Sequence, residues 1–251
     1  MTTRETLGRL RSGHGIVRLA AALALAVGAL GAPAAPASAA PDTIVVTLRV
    51  EGATSTIFER PVTTDGHDVT TAAGGTHRCD GTNNNANPKP GPTATAALDD
   101  AAKSGGFTFD GTYSAEFDDF FITRLGPDEQ TDTAFIGIFR DSQLTPVGGC
   151  QQRVEAGDEV LFAYDAFTDD HGAKPVLELV GPDAATIGDP ITVTVTDGAT
   201  GSPVAGATVD GATTGPDGTA EITFDTPGVT HLKAELPDAI RSNSLPVTVT
   251  S

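Results

Sequence analysis

From residue 175 onward the chain alternates apolar and polar side chains with a period of two, which commits it to half-buried β-strands. The apolar positions are Leu177 and Leu179, then Ile191, Val193 and Val195, then Ile222 and Phe224, then Leu232 and Ala234, then Val247 and Val249. Threonine fills many of the intervening positions, as a β-branched side chain suits a pleated, half-exposed surface. Turn chemistry separates the runs: Asp197-Gly198, Gly215-Pro216-Asp217-Gly218 and Thr226-Pro227-Gly228. About seven short strands within residues 175–251 predict a sandwich of two sheets.

The preceding part is mixed. Ile44, Val46, Leu48 and Val50 alternate in a first strand, and a second begins at 57–62. A loop rich in Gly, Asn and Pro runs from about 73 to 93. Residues 95–103 then read as a helix that Thr93 or Thr95 can cap and Gly105-Gly106 ends. Strands are expected at 107–113, 116–124, 132–140 and 159–166. Two strands, one helix and further strands fit a β-grasp, in which a single helix crosses a mixed sheet. The polar segment 169–174 carries no periodic apolar pattern, so 40–168 and 175–251 are expected to be two independently folding domains. The predicted class is mainly β: an α+β, β-grasp-like domain followed by an immunoglobulin-like β-sandwich.

Two resemblances bear on this. The run Pro203-Val204-Ala205-Gly206-Ala207-Thr208-Val209, with Pro216-Asp217-Gly218-Thr219-Ala220 and Thr226-Pro227-Gly228, resembles bacterial immunoglobulin-like domains of surface proteins. The resemblance implies a fold and little about function. Thr43-Ile44-Val45-Val46-Thr47-Leu48-Arg49-Val50-Glu51-Gly52, the helix segment Ala96-Ala97-Leu98-Asp99-Asp100-Ala101, and Gly157-Asp158-Glu159-Val160-Leu161-Phe162 resemble a bacterial family related to the C-terminal β-grasp domain of transcobalamin and intrinsic factor. That resemblance implies capture of a small molecule, with a corrinoid as the ligand class. Trp is frequent in the family where this chain has Phe135 and Phe162.

The N-terminus reads as an address. Four Arg precede an apolar run of fourteen residues at 19–32, and Ala37-Ser38-Ala39 offers small residues to a signal peptidase. Cleavage is expected between Ala39 and Ala40. Fourteen apolar residues fall short of the roughly 20 needed to span a bilayer. The expectation is a secreted protein, extracellular or surface-associated without a covalent anchor, because Leu245-Pro246-Val247-Thr248-Val249 lacks the glycine of a sortase motif. Formal charge is −18, and losing residues 1–39, with four Arg and one Glu, brings it to −21. Such a surface repels phosphate backbones and anionic lipid, which argues against nucleic acid and membrane as partners.

Cys79 and Cys150 are the two cysteines, and an exported chain meets conditions that pair them. Closing so large a loop removes roughly 4 kcal/mol of unfolded-state freedom in the entropy model. His67, His77, His171 and His231 show no metal-ligand spacing, and no cofactor fingerprint occurs, so neither a metal nor a cofactor is expected. Asp80 with the Asn run, and Asp169 with Asp170, offer oxygen ligands without the calcium-loop spacing. Asp110, Glu116, Asp118 and Asp119 are interleaved with Phe117, Phe120 and Phe121. Paired carboxylates near aromatics are what a glycoside hydrolase uses, with Glu116 and Asp118 or Asp119 as the pair. The stronger reading is a strand with its polar positions turned to solvent, in a chain this rich in acidic residues. The leading reading is a non-catalytic binding or surface-interaction protein with an extracellular ligand or surface protein as partner. Its candidate ligand-binding residues are Asn83, Asn84, Asn85, Gly148 and Gly149, a polar loop and its neighbour across the expected disulfide.

Overall fold

The computed structural model describes residues 43–251, which belong to one compact unit. The expected export segment 1–39 and the cleavage point at Ala39 and Ala40 lie outside the described residues. The described chain is mainly β. Its first part contains β1 (Ile44–Glu51), β2 (Thr56–Thr64), β3 (His67–Thr71), β4 (Gly75–Cys79), α1 (Ala94–Gly105), β5 (Phe109–Ser114), β6 (Asp119–Leu125), β7 (Asp128–Glu129), β8 (Gly137–Arg140), β9 (Gln143–Leu144) and β10 (Glu159–Ala163).

A five-stranded sheet runs in the order β2-β1-β10-β8-β9, with β1 and β10 parallel at its centre and the other pairs antiparallel. Period-two alternation gives it two faces. Val46, Leu48 and Val50 of β1, Phe58 and Val62 of β2, and Val160 and Phe162 of β10 pack against Ala97, Leu98 and Ala101 of α1. Phe162 is thus core. The helix starts where the sequence places it: Thr93 Oγ1 accepts from the Ala96 N–H at 3.3 Å, satisfying an otherwise orphaned donor. It ends at Gly106, which adopts φ 72° and donates its N–H to the Ala102 carbonyl. The β3–β4 hairpin and the β5-β6-β7 sheet complete the same core through Val69, Cys79, Phe120, Ile122 and Leu125.

Three strand starts differ from expectation by two residues or more, the first being β5, which begins at Phe109 and not at 107. β6 begins at Asp119 and not at 116, because 115–118 is a turn whose Asp118 adopts φ 52°. β8 begins at Gly137 and not at 132.

The second part contains β11 (Leu177–Val180), β12 (Ala184–Thr186), β13 (Ile191–Asp197), β14 (Thr208–Val209), β15 (Ala212–Thr213), β16 (Thr219–Ile222), β17 (Gly228–Leu232), β18 (Ala234–Glu235) and β19 (Leu245–Thr250). They form three small sheets, β11-β13-β16, β12-β19-β17 and β15-β14-β18. The alternating residues named from the sequence, among them Leu177, Val193, Val195, Leu232 and Val247, share one core.

A third, smaller core joins the two parts. Phe139, Leu161, Ala163 and Ala166 from the first pack with Val176 and Ile240 from the second. The same face of β1 carries Arg49 and Glu51, 1% and 2% exposed. Glu51 accepts from Lys233 Nζ at 2.5 Å and Arg241 Nε at 2.9 Å, while Arg49 donates to Glu159 at 2.7 Å and to the Arg241 carbonyl at 2.8 Å. Each buried charge therefore has an opposite charge beside it.

Candidate functional site

The site is built around the disulfide. Cys79 ends β4 and Cys150 lies in the segment before β10, and the bond between them is formed with both residues buried. Pairing lays 148–152 alongside the start of the Asn-rich loop and the start of α1. Gly81 N–H donates to the Cys150 carbonyl at 3.0 Å, Thr95 N–H to Gly149 at 3.1 Å and Ala94 N–H to Gln152 at 3.0 Å.

On its other side this segment meets Asp119. The carboxylate accepts from the N–H groups of Phe120 (2.8 Å), Cys150 (3.0 Å) and Gln151 (3.2 Å). Asp119 is 5% exposed. Burial pushes its pKa up to about 6, against the pull of those three donors, and nearby Asp118 adds to the rise. Gly148 lies directly over it: a Cβ there would stand 2.4 Å from Oδ2. The space, rather than the backbone angle, demands glycine at 148.

A cleft of about 380 Å³ opens above this carboxylate. Phe117, Phe120 and Phe121 line it with Pro146, Val147 and Gly148, and its surface is mainly apolar. Phe117 is 62% exposed, Phe121 52% and Val147 41%.

The Asn loop flanks the other side of the 115–118 turn. Asn84 donates its N–H to Asp118 Oδ2 and its side-chain amide to the Ala115 carbonyl at 3.3 Å. Asp118 Oδ1 also accepts from Tyr113 Oη at 2.6 Å, and the Tyr113 ring stacks on His77 at 3.4 Å. Burial and the bond to Asp118 push the Tyr113 hydroxyl up to about 12. Asn83, Asn84 and Asn85 all have positive φ, at 45°, 50° and 65°, a region asparagine tolerates better than most residues. The Asn run thus has a conformational cause. Arg153 clamps the loop: its guanidinium donates to the Lys89 carbonyl and lies against Gly81 and Gly91.

Asn84 and Gly148 therefore sit on opposite flanks of one turn, as the staple implied. Gly149 does not reach the surface. It is buried against Thr95 and Ile138, where an added Cβ would collide with Thr95 Oγ1, so its part is packing and not ligand contact. The carboxylates considered for hydrolysis sit in three different settings. Glu116 is exposed, Asp118 is held by Tyr113 and Asn84, and Asp119 is held by backbone donors on the cleft side. Asp80, considered for calcium, accepts from the Thr82 N–H at 3.0 Å and hydroxyl at 2.6 Å and so fixes the loop's first bend.

Among the described residues one His–carboxylate group comes within ligand distance of itself: His67, Asp99 and Asp100. His67 Nε2 lies 3.0 Å from Asp99, and Nδ1 lies 3.2 Å from both the carbonyl and the carboxylate of Asp65. Both ring nitrogens face acceptors, which favours the protonated ring, and its bond to Asp99 raises its pKa. Lys103 Nζ approaches Asp99 at 2.5 Å. Through these bonds to Asp99 the group joins β3 to α1.

Sequence reasoning missed the burial of Asp119 and the clamp by Arg153. The phenylalanines that wall the cleft were visible, but reading 116–124 as continuous strand hid the turn that turns Phe117 outward. Comparison with protein-family models found no match, and comparison with curated proteins found none.

Proposed function

We propose that this is an exported, non-catalytic binding protein whose recognition surface is the disulfide-stapled end of a β-grasp domain, followed by an immunoglobulin-like domain. The sheet order β2-β1-β10-β8-β9 with one crossing helix supports the β-grasp reading. The disulfide supports export, as does the match of residues 1–39 to a signal peptide. Among the described residues no helix is long and apolar enough to cross a membrane.

One observation carries the reading. Phe117, Phe121 and Val147 leave their apolar surfaces open around one cleft, while most large apolar residues of the chain lie in three cores. Concave, mainly apolar and provided with one buried polar group, the cleft has the make-up of a ligand site. Its volume of about 380 Å³ falls in the small-molecule range of roughly 300–1,000 Å³. That size favours small-molecule capture over a flat protein contact, and a corrinoid would overfill it.

The test uses Nile red, an uncharged dye that brightens in apolar surroundings, with purified 40–251. Bright emission is expected, and its loss in the Phe117→Ser, Phe121→Ser double variant, with Tm unchanged because both side chains are exposed. Equal emission from the variant would refute the cleft as the binding surface.

A further inference from the structure

We infer that the cleft selects a small organic cation, an ammonium group carried on an apolar body, with its charge on Asp119 and its body against Phe117, Phe121 and Val147. This rests on the binding reading above and goes beyond it by assigning the ligand's charge.

The argument begins with the buried carboxylates. Among the described residues these are Glu51, Asp80, Asp99 and Asp119. Glu51 has Lys233 and Arg241, Asp99 has Lys103 and His67, and Asp80 has Arg78 at 3.7 Å. Among these four, Asp119 alone has no Lys, Arg or His of the described residues within 4 Å. A chain that otherwise neutralises its buried acids leaves one without a counter-charge, and that one lies beneath the apolar cleft.

The hydrogen bonds say which atom is open. Oδ1 takes the Phe120 and Cys150 donors, whereas Oδ2 takes only Gln151, at 3.2 Å. A carboxylate oxygen accepts two bonds, so Oδ2 keeps acceptor capacity. Gly148 adds no side chain over that same atom, where any Cβ would stand on it, and Asp119 itself lines the cleft. The phenylalanine rings add to the selection, because an aromatic face attracts a cation and offers nothing comparable to an anion. The surrounding charge of −18 works in the same direction by concentrating cations at the surface. Hydrophobic contact alone would accept a neutral body equally, so the charge on Asp119 is what sets the preference.

Three isosteric probes test this: phenethylamine, the neutral 2-phenylethanol and the anionic 3-phenylpropionate, titrated into purified 40–251 and read by calorimetry and by amide NMR shifts. Phenethylamine should bind at least tenfold more tightly than the alcohol, and the acid should not bind. The amine alone should shift the Cys150 and Gln151 amides, which donate to Asp119; this reading needs no variant. Asp119→Asn should bring amine and alcohol within twofold of each other. Phe121→Ser should weaken both. Equal binding of amine and alcohol, with Nile red still bright, would overturn the charge assignment while leaving the binding reading standing. A preference for the amine that survives Asp119→Asn would assign it to the general surface charge and overturn the role of Asp119. Absence of binding by Nile red and by all three probes would remove the binding reading itself.

Discussion

At the scale of single residues, three titrating groups set how stability depends on pH. Asp119 has a folded pKa raised to about 6 from 3.8. Between those values the folded chain holds a proton that the unfolded chain has released, so this group's contribution falls as pH rises from about 4 to 6. Asp118, on the same turn, is the neighbouring acid that adds to the effect. The expected loss is on the order of 2 kcal/mol. Urea unfolding at pH 4.5 and 7.5 should show the gap between the native protein and Asp119→Asn narrowing at the higher pH; a constant gap would contradict it. His67 acts in the same direction at higher pH, and Asp99 in the opposite one. His67 is raised by its bond to Asp99, and its stabilisation is complete below about 6.5 and lost as pH climbs through the raised value. Burial works to raise Asp99, but its bonds to His67 and Lys103 outweigh that and lower it. Its contribution is lost only as acid passes below 3.8. In an Asp99→Asn variant the His67 ring resonances should titrate at lower pH than in the native protein. An unmoved midpoint would show that this contact does not form in solution.

Among the elements, the disulfide-held loop gives the clearest test. Replacing Cys79 and Cys150 together by Ser should cost up to roughly 4 kcal/mol, the closure entropy of a loop of this length. Hydrogen exchange should quicken in 80–93 and 146–152, while β1 and β10 stay protected behind the helix. Uniform exchange across both regions would contradict the staple's local role. How much of this was legible depends on which force set each element. The strands of the second part were readable because one face of each is core, and burial writes a period of two into Leu177, Leu179, Val193 and Val195. The helix was readable from its caps, Thr93 and Gly106. The 115–118 turn was not, because left-handed Asp118 carries no glycine signal and Phe117, Asp119 and Phe121 keep the strand period across it. The burial of Arg49 and Glu51 was not legible for a different reason. They occupy the outward positions of β1, where polar residues normally meet water, and only the second part of the chain covers them.

Across the whole molecule, that covering makes the boundary at 169–174 a joint that is held from outside the linker. Arg241→Ala should destabilise the protein by about 2 kcal/mol, since the buried Glu51 loses one of two charged bonds and keeps Lys233. Urea unfolding checks it; a loss under 1 kcal/mol would mean that water reaches Glu51. A protease site inserted between His171 and Gly172 should yield two fragments that co-elute in gel filtration, held by the third core and the ionic layer. Separate elution would show that the peptide link, and not the interface, keeps the parts together. The disulfide has a consequence in time as well as in space. Two of the three amides that hold Asp119 belong to Cys150 and Gln151, and before the sulfurs join that segment is kept in place by packing and hydrogen bonds without a covalent tie. The floor of the cleft is therefore expected to be fixed in full only on oxidation. A newly made chain still carrying thiols should hold its sheet before it holds this floor, and the tie between them is made by the loss of two electrons.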